Sequence, residues 1–353
     1  MRLRSLQNLP LSRVRVTVAM VASLAIAALG ASGTPAAAQT GSSLNRDTGL
    51  QLERLQTTAD LDTINNFNGN LVLPIPIGAS YPLSETASFG ISLVYNSSLW
   101  DHEIIEPNQT DVWSRTFPRP EFNAGIGWMV NLGRIVTRHD TTGYLGADGG
   151  YHEFFATLHP EDPFVPGFQY TTDGSYLRIK DLAGGAKQIE FPDGAVHLFN
   201  AQGLPTEITD QFGLANPTST IANRVTIAYT TNLWTISDQH GRAHRVYFRS
   251  AVGGTSVVDR VELSAFGALP PATYRFTYDE SRSIGRGCPH NEPPPPAGGV
   301  PTLVSTPFLT SVCVKPNESD PAATPICFNM GGASDYDFST LHPRQLLLVD
   351  AAS

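Results

Sequence analysis

The sequence predicts an all-β protein of stacked antiparallel β-hairpins that form a curved sheet. Three observations support this prediction: short runs rich in aromatic and β-branched residues, Asp-Gly pairs between these runs, and no long amphipathic run of helical period after residue 60. Glycine and proline are frequent, at 31 and 27 residues, and they are scattered without a period, which is typical of a chain with many turns.

The first predicted strands lie near the start of the mature chain. Leu71–Ile77 is extended by its prolines, which disfavour a helix, and Phe89–Tyr95 alternates apolar residues with Gly and Ser at period two. Six further runs lie between residues 144 and 249: Tyr151–Phe155, Tyr176–Ile179, Gln188–Phe191, Val196–Phe199, Val225–Tyr229 and Val246–Phe248.

Turn signals separate these runs. Three Asp-Gly pairs lie between strand-like runs, where glycine supplies the positive φ that a tight hairpin turn needs: Asp148-Gly149, Asp173-Gly174 and Asp193-Gly194. A looser repeat of polar turns that end in glycine occurs at Asp210–Gly213 and Asp238–Gly241, 28 residues apart, and Asn200–Gly203 has the same form. Because one hairpin cannot bury its aromatic face alone, we expect the hairpins to stack side by side.

Residues 1–38 are expected to be a secretory signal peptide. Four arginines precede an apolar run, Val16–Leu29, and the triplet Ala36-Ala37-Ala38 forms a cleavage site before Gln39. The alternative, a transmembrane anchor, is disfavoured because the run is shorter than the roughly 20 residues that cross a bilayer. We therefore expect a secreted, periplasmic or cell-surface bacterial protein with no membrane insertion after cleavage.

Cleavage would leave an acidic chain. The signal peptide holds four arginines and no acidic residue, so the mature chain has 19 Lys and Arg against 32 Asp and Glu, a net charge of −13. Nucleic-acid phosphates and anionic membranes both require clustered Lys and Arg, which the chain lacks. We expect no nucleic-acid partner.

Composition divides the mature chain into four parts. We expect a flexible lead-in over 39–59, the hairpin domain over 60–284, an exposed Pro/Gly-rich loop over 285–301 and a cysteine-containing segment over 302–353. That last segment ends on Leu346–Asp350, which is expected to begin a strand whose partner strand is missing. We therefore expect a truncated C-terminal segment.

Three cysteines, Cys288, Cys313 and Cys327, lie in the last quarter of the chain. In an exported protein one pair is expected to form a disulfide, and we favour Cys313 with Cys327, which would close a 15-residue loop. The spacing also allows Cys288 with Cys313. No Cys-x-x-Cys pair is present, so a zinc or thioredoxin-like site has no support.

No catalytic, cofactor or metal motif is complete. His152 begins a zinc-protease motif, but Ala156 occupies the position of its second histidine. His240 and His244 are four residues apart, which on a strand separates them by about 13 Å, too far for one metal ion. Ser334 lacks the second glycine of a nucleophile elbow. We therefore predict no enzymatic activity, no cofactor and no metal.

Two other functions stay open at this point. A glycoside hydrolase needs only two carboxylates facing one cleft, although most acidic residues here lie in turns, where Asp is expected for backbone reasons. A sugar-binding groove needs exposed aromatic rings, whereas large aromatics on strands usually pack in the core, which we favour. The aromatic candidates are Trp100, Trp113, Trp128, Trp234, Tyr81, Tyr95 and Tyr151.

Taken together, several motifs resemble the N-terminal region of Rhs/YD-repeat proteins over roughly residues 70–280. They are Gly127-Trp128 with Asn131, Tyr144 with Asp148-Gly149, Phe191–Gly194 with Phe199 and Gly203, Asp238 with Gly241-Arg242, and Tyr278-Asp279 with Gly285-Arg286. The chain departs from the family because it has no long array of Tyr-Asp repeats, no self-cleavage segment and no toxin domain.

The resemblance implies a fold and a kind of function. Large members of that family wind a β-sheet into a hollow shell around a cargo, so this chain would form a partial YD-shell-like wall. The expected function is that of an exported, non-enzymatic structural or interaction protein, with the remainder of a shell or an encapsulated cargo as partner. The alternatives are a secreted carbohydrate-binding or carbohydrate-active protein, and a fragment of a once longer gene.

Overall fold

The computed structural model describes residues 55–59, 62–65, 70–84, 87–108, 111–138, 141–159, 161–212, 223–265, 267, 269–285, 303–315 and 322–330. In this part of the chain the structure is nearly all β, with 24 strands, two short 3-10 turns at Ala183–Gly185 and Val252–Gly254, and no α-helix. The sheets are antiparallel. The predicted all-β class of stacked antiparallel hairpins is therefore confirmed.

The strands form two large sheets and two isolated hairpins. The smaller of the large sheets has the order β1-β2-β3-β4-β7, with β1 Leu55–Ala59, β2 Asp62–Asn65, β3 Asn70–Pro82, β4 Ser88–Asn96 and β7 Trp128–Asn131. The hairpins are β5 Trp100–Asn108 with β6 Asp111–Pro118, and β21 Ser283–Gly285 with β22 Leu303–Ser305.

The second large sheet has 15 strands and is not closed. Its strands follow chain order from β8 to β20 and continue through β23 and β24. They are β8 Arg134–Arg138, β9 Thr141–Leu145, β10 Tyr151–Phe155, β11 Phe168–Thr171, β12 Arg178–Asp181, β13 Lys187–Glu190, β14 Val196–Phe199, β15 Pro205–Thr209, β16 Arg224–Tyr229, β17 Leu233–Asp238, β18 Ala243–Ser250, β19 Ser256–Leu263, β20 Ala272–Asp279, β23 Phe308–Lys315 and β24 Ile326–Asn329.

A period of two along most strands gives this sheet an apolar face. In β16, Val225 and Ile227 are buried while Thr226 and Ala228 are exposed. Cross-strand pairing carries the same face onward, because side chains directly opposite each other in an antiparallel pair share a face. We call this apolar side the inner face and the opposite side the outer face. β8, β9 and β10 also bury Val136, Leu145 and Tyr151 on the outer face, against the smaller sheet.

The smaller sheet covers part of the inner face. Leu93 and Tyr95 of β4 and Val130 of β7 join one core cluster, the main core, with residues of β16 to β23 such as Val246 and Val261. Each such side chain contributes about 1.5–3 kcal/mol when it leaves water, so the burial of this many apolar residues stabilises the contact between the two sheets.

The strands β8–β14 enclose a second core. Ile135, Tyr144, Ile189 and Phe199 are buried together there. The sheet curls around them, since the Ile135 amide donates to the Gly203 carbonyl in the β14–β15 turn at 2.8 Å. A Cβ on Gly203, whose φ is +74°, would lie 2.3 Å from the Ile135 oxygen, so this contact requires glycine.

A polar turn fastens the two large sheets to each other. In the β17–β18 turn, the Gln239 side-chain amide donates to the Leu83 carbonyl at 2.9 Å, and the Arg242 guanidinium donates to the Pro82 carbonyl at 2.6 Å. Pro82 ends β3 and Leu83 follows it. The turn therefore satisfies backbone acceptors where β3 ends.

A buried charge network lies beside β8. The Arg138 guanidinium donates to Glu121 at 2.8 Å and lies 3.7 Å from Asp101, while Arg119 donates to the Ser98 hydroxyl at 3.0 Å. Burial raises the pKa of Glu121, but the charge and hydrogen bond of Arg138 and the charge of Arg119 act together against it and leave that pKa below its usual value. Glu121 is therefore ionised and hydrogen-bonded to Arg138, and this pair fixes the β6–β7 connection, which contains Glu121, to β8.

One predicted strand begins later than expected, and several predicted segments are not described. Tyr176, at the start of the predicted run Tyr176–Ile179, has a φ of +55° and lies in a turn, so β12 begins at Arg178. β1 occupies the end of the predicted lead-in 39–59. The signal peptide and Leu346–Asp350 lie outside the described residues, as does the Pro/Gly-rich loop except its first residue, Gly285. Among the residues that are described, no helix is long and apolar enough to span a membrane.

Acid is expected to destabilise the protein through His197. Burial lowers the pKa of His197 to about 4, and its ring packs 4.4 Å from the Phe191 ring. The unfolded chain therefore binds this proton near pH 6.5 while the folded protein does not, so stability is lost as the pH falls from 6.5 to about 4. This difference amounts to roughly 2 kcal/mol between pH 7.5 and pH 5.

Chemical denaturation at the two pH values measures this loss. His197→Phe should lose roughly 2 kcal/mol less than the wild type on acidification, since it removes the proton-binding difference. His159→Gln, at an exposed position in the β10–β11 loop, is the matched control and should lose as much as the wild type. An equal loss in His197→Phe and the wild type would contradict the assignment.

Candidate interaction surfaces

The predicted turn residues lie at one end of the 15-stranded sheet. Alternate turns of an antiparallel meander share an end, and the Asp-containing turns all occupy alternate connections. We call this end the turn rim. Its turns are 146–150 with Asp148-Gly149, 172–177 with Asp173-Gly174, 191–195 with Asp193-Gly194, 210–212 with Asp210, and 238–242 with Asp238 and Gly241. Gly213 lies outside the described residues.

Each rim aspartate stabilises its own turn. One carboxylate oxygen accepts the backbone amide two residues further on, which is the hydrogen bond of an Asx turn. The amides belong to Gly150, Ser175, Ala195, Phe212 and His240, at 2.8–3.1 Å. The glycine after the first three aspartates has a φ of +86° to +88°. The described residues contain no group of three His, Cys, Asp or Glu side chains placed to hold a metal ion.

Two rim residues form a pair that the sequence did not reveal. His152 Nδ1 lies 2.7 Å from Asp173 Oδ2, and Asp173 Oδ1 accepts from the Ser175 amide at 3.0 Å. Burial raises the pKa of Asp173, but the contact with His152 and the hydrogen bonds from Ser175 together outweigh it and lower that pKa. The Ser175 hydroxyl contacts the aspartate and not the histidine, so the three groups lack the order that activates a serine nucleophile.

This pairing joins residues 21 positions apart. The period of two and the Asp-Gly signals placed each residue on its own hairpin. Only their common position at the turn rim, which follows from counting strands, could have suggested that they meet.

His240 and His244 occupy different environments. His240 Nε2 lies 2.9 Å from the Leu83 carbonyl. His244 is buried against Tyr81, with ring centroids 4.3 Å apart, and its Nδ1 accepts from the Ser264 amide at 3.2 Å. Both imidazoles thus contribute to the joint between the two large sheets.

Most of the aromatic residues considered for a sugar groove are buried. Five are at most 8% exposed: Trp100, Trp128, Tyr81, Tyr95 and Tyr151. Trp234 is partly buried against the main core, and the side chain of Trp113 lies outside the described residues. The core interpretation therefore holds for the described members of this set.

A different set of aromatic rings lies on the outer face. Register places Phe155, Tyr170, Arg178 and Glu190 in one row across β10 to β13. Tyr176, in the neighbouring turn, is 72% exposed and is the non-glycine residue with positive φ in the described chain. A bulky side chain in that conformation is strained, so the fold holds an aromatic ring in solvent at a cost. We call these five residues the outer patch.

The edge strand β24 carries exposed apolar side chains on the inner face. Ile326 and Phe328 pair with Val314 and Val312 of β23, and Val312 belongs to the main core. Nevertheless Ile326 and Phe328 are 57% and 59% exposed. Between them, Cys327 forms a disulfide with Cys313 and fixes β24 to β23.

Comparisons with family models and curated proteins assign no function to these surfaces. No family model matches the chain, and no curated protein matches it. The outer patch and the β24 edge are therefore defined by their geometry alone.

Removal of the disulfide is expected to loosen β24 selectively. Cys313→Ser with Cys327→Ser should cost about 2–4 kcal/mol of stability and speed amide exchange of residues 326–329, because β24 would then be held only by its pairing with β23. Hydrogen exchange read by mass spectrometry measures the effect, with Cys288→Ser as control. Faster exchange of β24 in the control would show that Cys288 contributes to the pairing.

Proposed function

We propose that the chain is an exported, non-enzymatic structural protein: a wall segment similar to the N-terminal shell segment of Rhs/YD-repeat proteins. The observation that carries the proposal is the continuous 15-stranded sheet, in which consecutive hairpins share one covered apolar face. Such a sheet grows by adding hairpins without changing its design, as the wall of a shell requires.

The use of charge in the sheet supports a structural function. Arg178 pairs with Glu190 across neighbouring strands, Arg260 with Glu262 along β19, and Arg242 with Asp238 within one turn. Together with the Asx turns of the rim, these contacts satisfy polar groups locally. Catalysis instead needs side chains that converge on one substrate position. The His152–Asp173 pair does not meet this requirement, because the Ser175 hydroxyl contacts Asp173 and not His152.

The proposal implies two kinds of partner, the remainder of a shell and a cargo. The remainder of a shell would extend the sheet, and a cargo would lie against one of its faces. With the signal peptide of residues 1–38 removed, the wall would be assembled outside the cytoplasm, where the Cys313–Cys327 disulfide is stable.

Export and inactivity are tested together. N-terminal sequencing of the exported protein should begin at Gln39, and the purified protein should release no product from polysaccharides, peptidoglycan, peptides or ester chromogens. His152→Ala and Asp173→Asn are the matched variants. Turnover by the wild type that either variant abolishes would establish an enzyme and overturn the proposal.

A second candidate function, carbohydrate binding, is favoured by the outer patch. Sugar rings stack their C–H faces on aromatic rings while their hydroxyls bond to charged side chains. Phe155, Tyr170 and Tyr176 supply rings beside Arg178 and Glu190, which are joined by a charge-assisted hydrogen bond of 2.8 Å. Among the described aromatic residues, these combine solvent exposure with adjacent charge on one face of the sheet.

Affinity electrophoresis in gels containing xylan, glycol chitin, carboxymethyl cellulose or polygalacturonate tests this candidate. At least one polysaccharide should retard the wild type, and Tyr176→Ala should weaken that retardation several-fold, because stacking on an aromatic ring contributes about 0.5–1.5 kcal/mol. Thr226→Ala, exposed on β16, is the control. Equal retardation of Tyr176→Ala and the wild type, or none in any gel, would exclude the outer patch as a sugar site.

A further inference from the structure

We infer that the free edge of β24, beside which the described chain places no strand, docks one further β-strand, supplied by the remainder of the shell, with apolar side chains at two alternate positions. The inference rests on the proposed function, since it specifies the chemistry of the partner that continues the wall. It is drawn from the backbone register of β24, the exposure of its inner-face side chains and the contrast with the other end of the sheet.

The backbone register shows which groups face the free edge. The Cα atoms of Cys313 and Cys327 are 4.0 Å apart, the spacing of a non-hydrogen-bonded antiparallel pair. The Met330 amide donates to the Thr310 carbonyl at 2.8 Å, which places the alternate residues of this segment in hydrogen-bonded pairs with β23. The backbone N–H and C=O groups of Cys327 and Asn329 therefore point away from β23.

These groups have no strand partner in the described chain, where β24 ends the sheet. An antiparallel strand laid beside β24 would form hydrogen-bonded pairs at Cys327 and Asn329. It would then meet Ile326 and Phe328 in non-hydrogen-bonded pairs, where opposite side chains approach most closely.

The side chains at those two positions define what the incoming strand must carry. Ile326 and Phe328 lie on the inner face, in register with Val314 and Val312 of β23. They extend the apolar row of the main core by one strand, yet more than half of each side chain is in solvent. Apolar residues opposite them would continue the core, whereas the position opposite Cys327 lies on the outer face and tolerates a polar residue.

The two ends of the sheet differ in how they are protected. At β8, the first and last residues of the strand, Arg134 and Arg138, are charged, and the β14–β15 turn contacts the Ile135 amide. β24, with the sequence Ile-Cys-Phe-Asn, has no charged residue, no proline and no bulge in its pairing with β23; these are the features that block edge pairing. The disulfide also holds β24 in an extended conformation, so β24 loses little further conformational entropy when a partner strand binds.

The test is a binding measurement on the mature protein with synthetic strand peptides. The probe is a fluorescein-labelled Lys-Thr-Val-Thr-Val-Thr-Lys peptide, and the control peptide has asparagine at both valine positions. Fluorescence anisotropy should show binding of the valine peptide and at least about tenfold weaker binding of the asparagine peptide, since two apolar contacts are lost.

Two variants at one position separate edge pairing from other binding. Asn329→Pro removes an outward-facing amide without disturbing a hydrogen bond to β23, so it should weaken binding of the valine peptide about tenfold. Asn329→Ala keeps the amide and should bind like the wild type. Phe328→Lys should also weaken binding, because it places a charge on the inner face.

The other occupants of the edge give distinct results, each of which overturns the inference. If the wild type binds no peptide and sediments as a dimer that Asn329→Pro dissociates, the occupant is a second copy of this chain. If it is monomeric and its Asn329 amide is protected until Leu346→Asn with Leu348→Asn exposes it, the occupant is the chain's own C-terminal segment. Equal binding by Asn329→Pro and Asn329→Ala excludes edge pairing. None of these results bears on the turnover assay, so failure here leaves the structural function standing.

Discussion

The fold depends on covering the apolar inner face of a long antiparallel sheet. Each strand from β8 to β24 needs something opposite its inner face, and β8, β9 and β10 in addition bury apolar residues of their outer face against the smaller sheet. β3, β4 and β7 provide that cover for the later strands, and the curl of β8–β14 provides it for the earlier ones. The hydrogen bonds of Gln239 and Arg242 to the end of β3 join the two large sheets, and the buried Arg138–Glu121 pair joins β8 to the β6–β7 connection.

The same constraint explains why the described chain uses its charges as it does. Side chains on the outer face and in the turns are the ones left for polar chemistry, and most pair with a neighbour on the same or the adjacent strand or cap their own turn. The two candidate functional surfaces are the places where side chains or backbone groups are not covered or paired in this way. The outer patch leaves aromatic rings in solvent, and β24 leaves both backbone groups and apolar side chains without a described strand beside them.

Local signals in the sequence were enough to predict the strands but not their surroundings. Tyr151–Phe155 and Val196–Phe199 coincide with β10 and β14, because a period of two next to an Asp-Gly turn specifies a strand and its end. The start of β12 was misplaced because Tyr176 adopts a positive φ that its residue type disfavours. The His152–Asp173 pair and the exposure of Phe328 depend on what lies across the sheet, and one sequence does not encode that locally.

The position of the aspartate turns at one end has a consequence for how such a chain lengthens in evolution. Asp210 and Asp238 are separated by the two strands β16 and β17, so a duplicated segment of that length would place its new turn at the same end and its apolar side chains on the same face. Duplication of one strand would reverse the direction of every later strand. Genes for such sheets are therefore expected to gain or lose hairpins in whole pairs of strands.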